Sequence, residues 1–402
     1  MKIKIYSGAP QGIVTAPASK SVAHRMLISA SLCSGESRIS GISTCDDVLA
    51  TIDCLNKLGA KITLCGDVAT VIGFDPREAS PSSVLFANES GSTLRFLLPL
   101  AFLSGAKTHF SGAGRLMERP MAVYEELCKK NGIEYTKDSG IISVCGKFSG
   151  QDIEVPGDIS SQFITGLLFI LPFLGGDRRI KITTKLESRS YIDLTLKAMQ
   201  DFGVAAEWES ADCLLVRTGS VYTARDISVE GDYSAAAFPA ALNLMGGDVS
   251  VLGLREDSLQ GDKVYCEAYE ALKSGFAEIS IENCPDLGPI LFTVAAACNG
   301  GRFTDTARLR IKESDRAACM AMELRKFGVQ IEVFENSVTV KKAELHAPIE
   351  TLFGHNDHRV VMSLACLATK FGAEIEGAEA INKSYPAFFD DLSSLGIRLE
   401  KI

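Results

Sequence analysis

Several kinds of chemistry are absent from this chain. There is no GxxxxGK[ST], which excludes a P-loop nucleotide site, and no GxGxxG behind a strand, which removes support for a dinucleotide cofactor. No GxSxG elbow is present, and the 5 histidines show no metal spacing. The 12 cysteines are scattered without CxxC pairs, against both zinc and a disulfide scaffold, so they read as small buried thiols in a reducing compartment. Neither a metal nor a cofactor is expected. A net charge of −9 lacks the basic excess of a general nucleic-acid binder, although local basic pockets remain open. No apolar run reaches the length of a membrane span. The opening MKIKIYSGAP reads as a short strand with no apolar signal core, so the expected compartment is the cytoplasm.

What is present is a soluble, globular composition, 46% hydrophobic and 23% charged, over 402 residues, enough for two domains. A period runs through it. Six segments pair a polar entrance with a strongly apolar helix: PASKSVAHRMLISASLCSG, NESGSTLRFLLPLAFLSG, GDISSQFITGLLFILPFLGG, GDYSAAAFPAALNLMGG, PDLGPILFTVAAACNGG and HNDHRVVMSLACLATKFG. With Ser19, Ser90, Ser160, Asp232, Asp286 and Asp357 as markers, the spacings are 71, 70, 72, 54 and 71. Six amphipathic helices interleave with these and stop at Gly59, Gly132, Gly203, Gly275, Gly328 and Gly396, as helix C-termini do. After most of these glycines comes an alternating strand, turn and strand, as in KITLCGDVATVIG.

The repeat is therefore about 70 residues of βαβαββ type, and three repeats make a sensible domain. The predicted fold class is α/β, with two domains of three repeats each and the apolar helices buried in parallel at the centre. The first domain is placed at 1–17 and 231–402, holding both chain ends, and the second at 18–230. One repeat is short: between Asp232 and Asp286 about 17 residues are missing, and the hairpin after Gly275 shrinks to FAEISIENCPD. The last repeat ends at GIRLEKI with one strand too few, which MKIKIY could supply.

Helix N-termini present unpaired N–H groups and a positive end. Cations there cost stability unless an anion arrives. Yet PASKSVAHR puts Lys20 and Arg25 in the first two turns, Arg95 follows NESGST, and MERP adds Arg119. In RIKESDR, Lys312 and Arg316 are four apart, read as one helix face, with Glu313 and Asp315 able to answer part of the repulsion. HNDHR and NKSYP add Arg359 and Lys383. Arginine grips carboxylate or phosphate bidentately, and lysine can also move a proton. The set suits small phosphorylated, carboxylated metabolites.

PASKSVAHR, ESGSTLR, MERP, SSQF, YID, KESDR, DHR and NKSYP, in that order from residue 17 to 389, resemble the 5-enolpyruvylshikimate-3-phosphate synthase family. The resemblance implies an inside-out α/β barrel in each domain and an active site in the cleft between them. It implies transfer of the enolpyruvyl group of phosphoenolpyruvate to the 5-hydroxyl of 3-phosphoshikimate, with release of phosphate. By the same resemblance Lys20, Ser21, Arg25, Ser160, Ser161, Gln162, Ser188, Tyr191, Asp286 and Lys312 hold 3-phosphoshikimate. Lys20, Gly91, Arg119, Gln162, Arg316, Arg359 and Lys383 surround phosphoenolpyruvate. Asp286 matches the base position, and Glu313 and Lys20 match the groups that move protons at the methylene carbon. A monomer is expected, with these two small molecules as its partners.

Two departures accompany the match: Glu89 and Arg308 stand where asparagine is common in the family. A sister enolpyruvyl transferase, acting on UDP-N-acetylglucosamine, usually carries a cysteine near Gly114, and none is present in SGAGRLMERP. A non-catalytic anion-binding protein on the same scaffold is the remaining alternative, and Lys20, Asp286 and Glu313 argue against it.

Overall fold

A computed structural model describes residues 1–150 and 152–402. The chain forms two compact domains. The first is Met1–Ser19 with Gly231–Ile402, and the second is Lys20–Glu230. The first seam thus falls between Ser19 and Lys20, two residues later than the sequence reading placed it. The cause is local: Ala18 bridges Gly231, and the Ser19 hydroxyl donates to Gln260 Oε1 at 3.1 Å, so both belong with the first domain.

The second domain holds three four-stranded sheets of one plan. In the middle one, Leu85–Phe86 runs parallel to Thr108–Ser111, which pairs antiparallel with Ile141–Cys145, and Glu134–Asp138 closes the edge. Parallel neighbours need a crossover, and a helix supplies it. Tight hairpins join the last two strands of each sheet. The first sheet borrows its opening strand, Ile227–Ser228, from the far end of the domain.

The first domain repeats the plan in Ala277–Ser280, Gly301–Thr304, Ser337–Lys341 and Gln330–Val333. Its last sheet is completed by the N-terminal strand Lys2–Ile5, which lies between Ala373–Glu376 and Leu399–Lys401. The short repeat keeps only Asp248–Leu252 paired with Gln11–Thr15. FAEISIENCPD is not a shrunken hairpin: its strand Ala277–Ser280 opens the next sheet, and the hairpin is lost altogether.

The glycine stops follow this difference. Gly59, Gly132, Gly203, Gly328 and Gly396 all have positive φ, the backbone that turns a chain out of a helix into the following strand. Gly275, in the repeat without a hairpin, has φ 175, an extended conformation.

Helices that are apolar all round must be buried. Helices Lys20–Ser31, Gly91–Leu97 and Ser161–Ile170 lie in the core of the second domain, and Tyr233–Ala241, Gly288–Ala297 and His358–Phe371 in that of the first. Each domain has its own hydrophobic core. Among the described residues no helix is long and apolar enough to cross a membrane, and no group of His, Cys, Asp or Glu could hold a metal. The 12 cysteines are free thiols, but six rather than all are buried: Cys145, Cys213, Cys298 and Cys319 are half-buried, and Cys65 and Cys266 are exposed.

Candidate active site

In the second domain the buried helices bring their entrances to the predicted residues. Lys20 opens its helix and pairs with Asp47 Oδ2 at 2.7 Å, Asp47 lying in the first turn of helix Asp46–Leu58. Arg25, one turn on, is buried, yet its hydrogen bonds run to neutral oxygens. Its Nε donates to Thr195 Oγ1 at 2.9 Å, Nη1 to the Ser21 carbonyl at 2.6 Å and Nη2 to the Tyr191 carbonyl at 2.9 Å. Burial pushes its pKa down to about 10, so it stays charged at neutral pH. A buried cation held by neutral oxygens and the face of the Phe96 ring, 5.1 Å away, has charge left for an anion. His24, between them, is driven well below the ordinary histidine value by burial and then by Lys20 and Arg25. Neutral, it shares a hydrogen bond of 2.8 Å with Thr51.

Gly91 opens the next buried helix. A Cβ there would lie 2.9 Å from Arg119 Nη1, 3.3 Å from Gln162 Oε1 and 3.7 Å from Arg95 Nη1. The missing side chain thus leaves room for a small group among a guanidinium pair and an amide. Arg95 is oriented by Gln162 Oε1 at 2.7 Å and the Pro120 carbonyl at 3.0 Å, and Gln162 Nε2 donates to Ser92 at 3.1 Å. Ser160 caps its helix, its hydroxyl accepting from the Gln162 amide at 3.3 Å, with Ser161 buried behind it. Ser188 has φ 58 and is buried at the start of helix Arg189–Asp201, whose first turn carries Tyr191.

In the first domain Asp286, Lys312, Glu313, Arg316 and Arg359 form one charge network, and Lys383 binds a backbone carbonyl. Asp286 Oδ1 accepts from Lys312 Nζ at 3.1 Å and Arg316 Nη1 at 2.8 Å, and its Oδ2 lies 3.7 Å from Arg359 Nη2. Arg316, about 1% exposed, also donates through Nη2 to Glu313 at 2.8 Å and through Nε to Asp357 Oδ2 at 2.9 Å. Asp357, fully buried, takes Ser314 Oγ at 3.0 Å and the Arg359 amide at 2.9 Å as well. Lys383 Nζ donates to the Asn356 carbonyl at 2.5 Å. Burial would raise the Asp286 carboxyl, but Lys312, Arg316 and Arg359 together hold it well below the usual carboxylate range. Burial, with Arg316 beside it, lowers Lys312 even against the pull of Asp286.

Two local readings need correction. Lys312 and Arg316 do not share a helix face: the helix begins at Arg316, and Lys312 follows a 3₁₀ turn in extended backbone. Asp315 does not answer their repulsion. It caps the helix, accepting from the Ala318 amide at 3.1 Å, and the two cations converge on Asp286 instead. Of the six entrance markers, Ser90, Ser160, Asp232 and Asp357 cap their helices. Ser19 is drawn to Gln260, and Asp286 faces cations rather than amides. Asp47, Arg95 as the partner of Gln162, and the multiple role of Asp357 were not assigned from sequence. Asp357 had a signal in its marker position; Asp47 had none.

The three-repeat domains and their helix entrances rich in cations and hydroxyls are the architecture of enolpyruvyl transferases. The chain is similar in fold to an EPSP synthase from Acinetobacter baumannii, with a TM-score of 0.78, 22% identity and full coverage of both chains. It is also similar to an enolpyruvyl transferase from Streptomyces tendae, with a TM-score of 0.80, 14% identity, and coverage of 99% of this chain and 98% of that one. The profile of EPSP synthase (3-phosphoshikimate 1-carboxyvinyltransferase) matches residues 7–392, and the chain belongs to that family. Curated relatives bearing the name 3-phosphoshikimate 1-carboxyvinyltransferase include those of Clostridioides difficile and Clostridium beijerinckii. The first is 39% identical, covering 99% of this chain and 98% of the relative; the second is 38% identical, covering 98% and 97%.

Proposed function

We propose that this protein transfers the enolpyruvyl group of phosphoenolpyruvate to the 5-hydroxyl of 3-phosphoshikimate, as a cytoplasmic monomer, and that residues of both domains serve that one reaction. The observation that carries the reading is the Asp286–Lys312–Arg316–Glu313 network in a chain of this family. A carboxylate at a helix entrance whose partners are cations is not engaged in capping the helix, which supports a substrate-facing role.

Ser160, Ser161 and Gln162 cradle the phosphate of 3-phosphoshikimate with hydroxyls and amide N–H groups at a helix N-terminus. Ser21, Arg25, Ser188, Tyr191 and Lys312 hold the rest of that substrate. Arg119, Arg316, Arg359, Lys383 and Lys20 surround phosphoenolpyruvate, with Gln162 beside it and Gly91 leaving the space. One such cation 4 Å from an anionic oxygen is worth about 4 kcal/mol at an effective dielectric near 20, before desolvation.

Asp286 takes the proton of the 5-hydroxyl as that oxygen bonds to C2 of phosphoenolpyruvate, and a proton is delivered to C3. The tetrahedral intermediate then loses a C3 proton, re-forms the double bond and expels phosphate. Glu313 and Lys20 carry the C3 protons between them. In the ligand-free protein Asp286 is too well paired to be an effective base. Substrate anions that engage Lys312, Arg316 and Arg359 release it, so binding itself raises its proton affinity. The test is inorganic phosphate release from a mixture of the two substrates.

A further inference from the structure

We propose that His355 is a positioning residue: clamped by Glu323, it fixes the turn 354–357 from which Lys383, Arg316 and Arg359 are set. The inference rests on the assignment of those three cations to phosphoenolpyruvate above. Neither His355 nor Glu323 belongs to the set of residues placed on substrate.

One helix, Arg316–Arg325, supplies both ends of the clamp. At its start Arg316 binds Asp357. Two turns later Glu323, about 1% exposed, places Oε1 at 3.0 Å from His355 Nε2. Its Oε2 accepts from the Phe353 amide at 3.0 Å and from Lys326 Nζ at 2.8 Å. A buried carboxylate with three partners is a costly feature unless each partner is held in return.

The segment it holds is strained. His355 and Asn356 have φ of 49 and 52, consecutive left-handed residues, neither of them glycine. Such backbone persists only where its surroundings over-determine it, and it concentrates at working sites. Here the Gly354 amide donates to the Glu376 carbonyl at 2.8 Å, and the Asp357 amide to the Gly354 carbonyl at 2.9 Å. The strained turn delivers two things: the Asn356 carbonyl to Lys383, and the Asp357 carboxylate to Arg316 and the Arg359 amide. A shift of the turn moves all three cations together.

The groups facing His355 are Cys319 and Glu323 from the helix side, with Lys326 on the other oxygen of Glu323, and the Phe353 ring, centroid 4.9 Å away, from the strand side. On the neighbouring strand Glu376 is the register partner of Phe353, and its carboxylate pairs with Lys2. Hydrogen bonds to Cys319 and then Glu323 outweigh burial and lift His355 to about 9, so its contact with Glu323 is an ion pair at neutral pH.

The test is His355→Asn, which keeps a residue tolerant of left-handed backbone but is too short to reach Glu323. Steady-state phosphate release should show the KM for phosphoenolpyruvate raised about ten-fold, with that for 3-phosphoshikimate within about two-fold. His355→Gln, long enough to bridge to Glu323, should recover part of the loss. Both KM values unchanged, or both rising together, overturns the proposal. Hydrogen exchange in a peptide spanning 353–359 of the ligand-free protein gives a readout independent of activity. Faster exchange in His355→Asn supports the clamp, and unchanged exchange overturns it. Were the native protein to release no phosphate, the proposed function would fall, and the exchange result would still decide this inference. Should His355→Asn fail to fold, Glu323→Gln, whose single amide oxygen cannot accept from both the His355 ring and the Phe353 amide and which loses the ion pair, is read the same way.

Discussion

Arg316 Nη1 donates to Asp286 Oδ1 at 2.8 Å, although Asp286 occupies a position at which four other repeats carry a helix cap. The repeat supplies the place, and the side chain is put to another use. Asp286→Ala should therefore cost the helix nothing in capping while lowering turnover by about 10²–10⁴-fold, the range for a general base. Binding of 3-phosphoshikimate, measured by calorimetry, should persist. Near-native turnover would remove Asp286 from its role.

Asp357 stands behind that pair, fully buried against Arg316 and Arg359. Asp357→Ala leaves the Arg316 guanidinium buried with one partner fewer, and removing one member of a buried pair costs about 3–5 kcal/mol. The urea midpoint of the first domain should fall accordingly. An unchanged midpoint would show that Glu313 and Asp286 suffice.

Gly91→Ala separates binding from folding. Its backbone is helical, so alanine should be neutral or stabilise by up to about 1 kcal/mol. The new Cβ, 2.9 Å from Arg119 Nη1, occupies space near the guanidinium. The KM for phosphoenolpyruvate should rise about ten-fold or more while the melting temperature holds. Loss of both together would contradict this.

His355 makes stability depend on pH. Its pKa rises from 6.5 to about 9 on folding, so its contribution is complete below pH 6.5 and is lost as pH rises through 9. The span sets an upper bound on the order of 3 kcal/mol. Urea unfolding of the native protein and His355→Asn should differ most near pH 6 and converge above pH 9. A constant difference would contradict the linkage, and one that grows with pH would contradict its sign.

Two glycines test the repeat account itself. Gly132 and Gly275 both end amphipathic helices, and a Cβ on either would meet nothing within 4 Å. Gly132 has φ 66, and Gly275 is extended at φ 175. Gly132→Ala should destabilise by about 1 kcal/mol, and Gly275→Ala should not.

Much of this was legible because a 70-residue rhythm records itself twice, in apolar helix entrances and in glycine stops. Spacing also exposed the short repeat, but not its outcome. FAEISIENCPD carries strand-like alternation, and whether it closes one sheet or opens the next depends on which edge is free. Lys312 and Arg316 show the limit of periodicity: four apart in KESDR, they belong to a turn and a helix. Their partner Asp286 lies 26 and 30 residues away, and no spacing rule brings it there. Lys20 with Asp47 is the same case.

The central claim is tested most directly by mixing the purified protein with phosphoenolpyruvate and 3-phosphoshikimate and measuring inorganic phosphate. The account predicts release that requires both substrates and is lost in Asp286→Ala. No release at saturating concentrations of both would contradict it.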